Sequence, residues 1–225
     1  MEPVSWTRLE GTALWEEARA AYAHPPGRTY HGFGHVACLY RHAAQTFCLP
    51  YDPALDLAVL AHDALIGGPQ AEARSRIWLL NRRNLVDEAL PCLRADGEPV
   101  DALLDRAGHF ILATEHHPTA PETAAIVLLD LADFLDAEVS RANSAALRDE
   151  ARALRGLNDE SWTAETLSYL AGLAKSLDPD TVREDEARSN LLPQLRAQIQ
   201  ALREGVDRVA TELAERTTRR SIERS

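Results

Sequence analysis

An all-α chain folded as one helical bundle is the architecture this sequence predicts, and three observations predict it. Ala, Leu, Arg and Glu, all strong helix formers, dominate the composition, and β-branched residues are sparse. Apolar residues recur at i, i+3 and i+4 through most of the chain, the period of a helix with one buried face. The clearest proline and glycine clusters fall between those stretches.

Taken in order, a first helix is expected from about Thr7 to Tyr22, with Leu14, Ala18 and Ala21 on its inner face, ended by His24-Pro25-Pro26-Gly27. A second runs from Gly32 to about Phe47 with Val36, Leu39 or Tyr40, Ala43 and Phe47 as its stripe, and Pro50 and Pro53 bracket the turn that follows. Asp52 to Ile66 is apolar on nearly all sides, which predicts a helix buried over most of its surface, stopped by Gly67-Gly68-Pro69. Ala71 to about Asn84 is amphipathic again, and Leu85 to Gly97 reads as a short helix and a loop. Val100 to Thr114 carries Leu103, Leu104, Ala107, Phe110 and Ile111 at helical spacing, and Glu115-His116-His117-Pro118 closes it. Further helices are expected over Glu122 to Ser140, Ala145 to Leu154 and Trp162 to Leu177, with a break at Pro179. Arg183 to Arg216 reads as one long helix kinked at Pro193, and Thr217 to Ser225 as a polar tail that frays. With no internal repeat, low-complexity block or long linker, residues 1–216 are expected to form a single domain and 217–225 the tail.

At 225 residues, 45% apolar and 26% charged, the chain has ample material for a core. The net charge of −11 repels nucleic-acid phosphates and anionic membranes, so no extended nucleic acid and no membrane is an expected partner. A small phosphorylated substrate stays compatible, because a metal ion and a few arginines reverse the field inside one pocket. Three cysteines, Cys38, Cys48 and Cys92, with no C-x-x-C give no disulfide framework and fit a reducing cytoplasm. Residues Met1 to Glu10 lack the pattern of a signal peptide, and no apolar run approaches the roughly 20 residues of a membrane span. The absence of a G-x-x-x-x-G-K loop, a G-x-S-x-G elbow and a Rossmann glycine fingerprint argues against P-loop, α/β-hydrolase and dinucleotide chemistry.

The doublet His62-Asp63, in Leu60-Ala61-His62-Asp63-Ala64 near the end of the most apolar helix, carries the strongest chemical signal. An ionised Asp beside a His in an apolar setting is costly unless both are paired or bind a metal. His35 lies near the start of the preceding helix, and two helices joined by a short connection pack antiparallel, so His35 and His62 can face each other. Asp133 stands in the apolar stretch Leu131-Ala132-Asp133-Phe134-Leu135, with Asp130 one turn earlier. Two imidazoles and two carboxylates suit a borderline divalent metal with positions open to water and substrate.

This pattern, His35…His62-Asp63…Asp133, resembles the H…HD…D signature of the HD superfamily of metal-dependent phosphohydrolases. Arg28-x-Tyr30-His31-x-x-x-His35-Val36 is similar to the R-x-Y-H-N-x-x-H-[IV] opening of a bacterial branch of that superfamily. Glu72-x-Arg74-Ser75 resembles its N-E-x-R-S, Thr114-x-x-His117 its T-x-x-H and Ala187-Arg188-x-Asn190-Leu191 its A-R-x-N-L. The matches run in order from Arg28 to Leu191. Gly32 departs from the branch's asparagine, as does Ala71, and Asp130-x-x-Asp133 is one residue wider than D-x-D, which leaves the fourth ligand open between the two; Ala132-Asp133-x-Leu135-Asp136-Ala137, similar to the superfamily's A-D-x-L-x-A, favours Asp133.

The resemblance implies an HD-type helical bundle with His35, His62, Asp63 and Asp133 holding one or two divalent transition metals per chain (Mn, Fe, Co, Ni or Zn). It implies hydrolysis of a phosphate ester or phosphoanhydride in a small molecule such as a nucleotide, with Asp63 and Glu72 as the catalytic carboxylates. Arg74, His31 and His117 would serve the substrate, and His116, Arg188 and Asn190 are further candidates. His31, four residues before His35, could share a helix face with it and ligate the metal if both are helical; with Pro25, Pro26 and Gly27 so close before it, it reads instead as a substrate residue or as support for a ligand. His116 and His117 read as second-metal or phosphate ligands, or as cations at a helix end. The resemblance also implies a second reading, a di-iron oxygenase as in related HD proteins, for which His116 and His117 offer extra ligands, and a third is a binding module without turnover. The helix Arg183 to Arg216 is the candidate surface for homo-oligomerisation, or else packs back on the core.

Overall fold

The computed structural model describes residues 6–95, 97–118, 120, 122–179 and 192–223, with side chains through 219 and from 194 onward in the last stretch. Among these residues there is no strand; the chain is all-helical, with ten α-helices, a π-turn and a 3-10 turn. The helices gather into two compact units, Met1–Glu115 and His116–Ser225, where the sequence reading has one domain over 1–216. Each unit is described by itself. No helix among the described residues is long and apolar enough to cross a membrane.

The first unit is built around α3 (Pro53–Ala61), whose residues Ala54 to Ala61 are all buried. Asp52 caps it by accepting the Ala54 N–H at 2.8 Å, and Pro53 supplies the preset φ of a first helical residue. Burial of Leu55, Leu57, Val59 and Leu60 stabilises the unit by about 2 kcal/mol per side chain. Around α3 pack α1 (Ala13–Tyr22), α2 (Phe33–Arg41), α4 (Ala71–Leu80) and α6 (Val100–Ala113), while α5 (Arg83–Leu93) lies on α1 and α6. Trp15 and Tyr22 of α1 both meet the Phe33 ring edge-on, at 4.9 and 5.7 Å.

Several boundaries differ from the periodicity. α1 starts at Ala13 rather than Thr7, because Gly11 takes φ +82° and Thr12 then caps the helix through the Trp15 N–H. α2 passes into a π-turn over His42–Thr46, so the predicted span to Phe47 is filled by two helical geometries. α3 ends at Ala61, short of Ile66, although the apolar pattern continues. Asn81 and Arg82 split the fourth and fifth helices, and α5 covers much of the segment expected to be a short helix and loop.

Asp56 is fully buried midway along α3 and accepts hydrogen bonds from the Tyr40 hydroxyl of α2 at 2.8 Å and the Tyr51 hydroxyl at 2.9 Å. The Arg8 guanidinium lies 3.9 Å from the centre of the Tyr51 ring. Burial pushes the Asp56 carboxyl from an ordinary 3.8 up to about 7, against the lowering effect of Tyr40, Tyr51 and Arg8.

In the second unit α7 (Ala124–Asp130), a 3-10 turn (Ala132–Leu135) and α8 (Ala137–Arg155) replace the single helix expected over Glu122 to Ser140. Asp136 causes the break: its carboxylate accepts the N–H groups of Glu138 and Val139 at 2.7 and 3.1 Å and starts α8 there, well before Ala145. α9 (Asp159–Ser176) is capped by Asn158, which accepts the Ser161 N–H at 2.8 Å. α10 (Leu192–Glu223) packs on α9 through a core that includes Trp162, Leu170, Leu173, Ile199, Leu202 and Val206. Pro193 falls in its first turn, and the helix continues through the segment expected to fray. Residues 183–191, the start of the predicted long helix, lie outside the described residues.

α10 also crosses the 3-10 turn, where Arg208 donates to the Phe134 carbonyl at 2.7 Å. A Cβ at Gly205 would collide with that same carbonyl.

Two stability outcomes follow. Gly205→Ala gains up to about 1 kcal/mol of helix propensity but forces α10 off the backbone of Phe134, at about 1–3 kcal/mol, so its melting temperature should fall. A rise would mean that α10 does not approach the turn this closely. For Asp56 the folded chain keeps a proton that the unfolded chain releases, so stability is greatest below pH 4 and declines towards pH 7, by at most about 4 kcal/mol. Urea titrations of Asp56→Asn against wild type should show the variant losing less stability over that window; parallel curves would reject the assignment.

Candidate metal centre

α2 and α3 run side by side, and this places His35, in the first turn of α2, against His62 at the end of α3. Their ring centroids lie 5.3 Å apart and both side chains are buried. Each offers a ring nitrogen, the two within 4.8 Å of each other. Asp63, the next residue, turns its Oδ2 to within 3.1 Å of His62 Nε2 and 3.8 Å of His35 Nε2. The expected facing of His35 and His62 is therefore present, with the doublet just beyond the helix end rather than on it.

Local hydrogen bonding sets the His62 ring. Its Nδ1 lies 3.1 Å from the Val59 carbonyl oxygen, so the neutral ring donates there and Nε2 carries a lone pair. That lone pair and the Asp63 carboxylate are both acceptors, 3.1 Å apart. A shared proton, a bridging water or a metal ion beside both relieves that contact. Burial opposes the Asp63 charge, but the imidazoles of His62, His31 and His35, where protonated, outweigh it and hold the carboxyl well below the usual carboxylate range. Imidazole and carboxylate together form a donor set for a borderline divalent metal.

His31 precedes α2, whose N-cap is Gly32, so His31 and His35 do not share a helix face. His31 is nevertheless part of the same aromatic group: the Tyr30 ring stands 4.7 Å from His31 and 4.9 Å from His35, and the two histidines are 6.1 Å apart. Cys38, half-buried on α2, accepts from Arg41 at 3.1 Å, and all three cysteines are unbridged.

Below Asp63 the chain turns through Leu65 to Gly67 and Gly68, both at positive φ, and enters α4. Ser75 holds this turn: its hydroxyl accepts the Leu65 N–H at 3.0 Å and donates to the Leu65 carbonyl at 3.3 Å. Arg74 donates to the Gly67 carbonyl, and Glu72 is half-buried in the first turn of α4. Thus Arg74 and Ser75 fasten the loop that follows the doublet.

In the second unit, His117 takes a left-handed φ of 48° and is buried, while His116 is exposed. His117 Nε2 lies 2.9 Å from Asp130 Oδ2 at the end of α7. Asp133 sits in the 3-10 turn, where the Asn143 amide donates to its carboxylate at 2.6 Å. The break between α7 and the 3-10 turn thus gives the two acids different partners. His35, His62 and Asp63 belong to the first unit, and the two acids between which the sequence leaves the fourth ligand open, Asp130 and Asp133, belong to the second. Arg188 and Asn190 lie outside the described residues.

Three contributors escaped the sequence reading. Asp56 is visible as an acid midway along an apolar helix, but nothing in the spacing shows the two phenols that meet it. Ser75 and Arg28 appeared only as motif matches, and nothing in their spacing reveals the backbone groups they bind. Arg28 donates to the carbonyls of His31 and Asp63 and stacks on Tyr22, whose hydroxyl accepts the Asp63 N–H at 3.2 Å.

Ser75→Ala leaves the Leu65 N–H without its acceptor and should cost about 1–3 kcal/mol in urea unfolding. A change within about 0.5 kcal/mol would show that solvent satisfies that group instead. Compared with known proteins, the chain matches no family model, no curated protein and no solved structure.

Proposed function

We propose that this chain is a metal-dependent phosphohydrolase acting on a phosphate ester or phosphoanhydride of a small molecule such as a nucleotide. The supporting observation is the facing pair of acceptors, His62 Nε2 and Asp63 Oδ2, with His35 beside them in a buried setting. The order and spacing of the HD-like residues supply the reaction class. His35, His62 and Asp63 would hold the ion, with Asp130 or Asp133 as the further carboxylate the sequence offers.

A divalent ion bound there supplies Lewis acidity, lowering the pKa of water and polarising a phosphoryl oxygen. The rest of the chemistry belongs to the chain. Val59 fixes the His62 tautomer, so the nitrogen that binds is chosen by the backbone. Asp63 stays ionised at neutral pH and can orient a water and take its proton on a carboxylate oxygen. Glu72 is proposed as a second proton acceptor, and His31, Arg74 and His117 as residues on the substrate side. The net charge of −11 makes the local cations and the ion the means of attracting an anionic substrate.

Metal analysis of protein purified without chelator should give about one or two transition ions per chain. Folded His62→Ala and Asp63→Ala should lose them, together with metal-dependent phosphate or pyrophosphate release from phosphomonoesters and nucleotides, by about 100-fold or more. A wild-type chain that takes up none of Mn, Fe, Co, Ni or Zn would overturn the proposal. So would full activity in both variants.

A further inference from the structure

We infer that Arg28 is a positioning residue for this centre, setting the backbone that carries Asp63 and His31 rather than meeting phosphate itself. The inference rests on the metal reading above. The Arg28 guanidinium sits where three segments converge. Nε donates to the His31 carbonyl at 2.8 Å. Nη1 donates to His24 at 3.0 Å, Ala64 at 3.4 Å and Ala21 at 3.5 Å, and Nη2 to Asp63 at 2.6 Å.

Ala21 and His24 belong to the end of α1, and Asp63 and Ala64 to the exit from α3. Apart from Ala21 in the last turn of α1, these carbonyls lie just past the helix ends, and all four are near the negative ends of two helix dipoles. A planar cation with five donors answers both ends at once, which a lysine cannot do. The Tyr22 ring lies 4.8 Å beneath the guanidinium, and its hydroxyl takes the Asp63 N–H. The Asp63 peptide is therefore held on both its N–H and its C=O, and the His31 peptide is tied to the same cation. An Arg in a phosphohydrolase is ordinarily suspected of binding phosphate through its fork; here the fork faces backbone oxygens on three sides.

Calorimetric titration with Co(II) alone, well below each protein's unfolding temperature, tests the role. Arg28→Ala should bind Co(II) about 10–100-fold more weakly than wild type. Millimolar guanidinium ion should restore part of that affinity where sodium chloride at the same ionic strength does not, and Arg28→Lys should fall between. Leu93→Ala, a core truncation in α5, is the destabilised control and should bind as wild type does. Wild-type affinity in Arg28→Ala would overturn the inference, as would an equal loss in the Leu93→Ala control. If Arg28→Ala does not fold, Arg28→Lys carries the comparison, and wild-type affinity there overturns the inference. A wild type that binds no Co(II) brings down the metal reading and this inference with it, whereas failure in the variants alone leaves the metal reading standing.

Discussion

Burial of α3 on every side governs the first unit. A helix with no exposed face can carry polar groups only where a neighbour meets them. Asp56 is met by two phenols in the middle of the helix, and His62 and Asp63 are met at its end. The backbone N–H and C=O groups just past its end must be satisfied by the protein, because apolar packing keeps solvent from much of the surface. Arg28, Tyr22 and Ser75 gather at that exit for this reason, and the imidazole–carboxylate cluster occupies the space they shape. The chemistry proposed for the chain thus sits where the apolar helix runs out of backbone partners.

The second unit follows a different logic. Its first helix stops at Asp130, a 3-10 turn carries Asp133, and Asp136 starts a new helix. A continuous helix would have placed Asp130 and Asp133 on nearly one face. The broken path separates their surroundings, one acid held by His117 and the other by Asn143. Carboxylates with different partners differ in orientation and in how strongly they hold a proton, so they are not interchangeable as ligands.

What could be read beforehand was what periodicity and composition encode. The helical class, the burial of α3 and the facing of His35 and His62 all follow from side-chain patterns. Where the reading failed, the cause was a backbone or cap interaction that overrides a continuing apolar pattern. Gly11 and Thr12 delay α1, the post-helical turn holds residues 62 to 66 out of α3, and the Asp136 cap divides what looked like one helix. Asp136 is visible in the sequence as part of a family-like motif, and the motif gives no sign of its role as a cap. The clamp of Arg28 had no signature at all, since main-chain carbonyls are the same in every residue.

The close approach of α10 to Phe134 has a further implication for how this chain can change. A helix whose backbone meets a turn at its one position without a side chain has a single register there, so it cannot slide or rotate to absorb an inserted residue between its core positions Ile199 and Val209. Beyond Val209 the described side chains are mostly exposed. Length variation among descendants of this sequence should therefore accumulate at the distal end of α10, while the stretch before it keeps its count of residues unchanged.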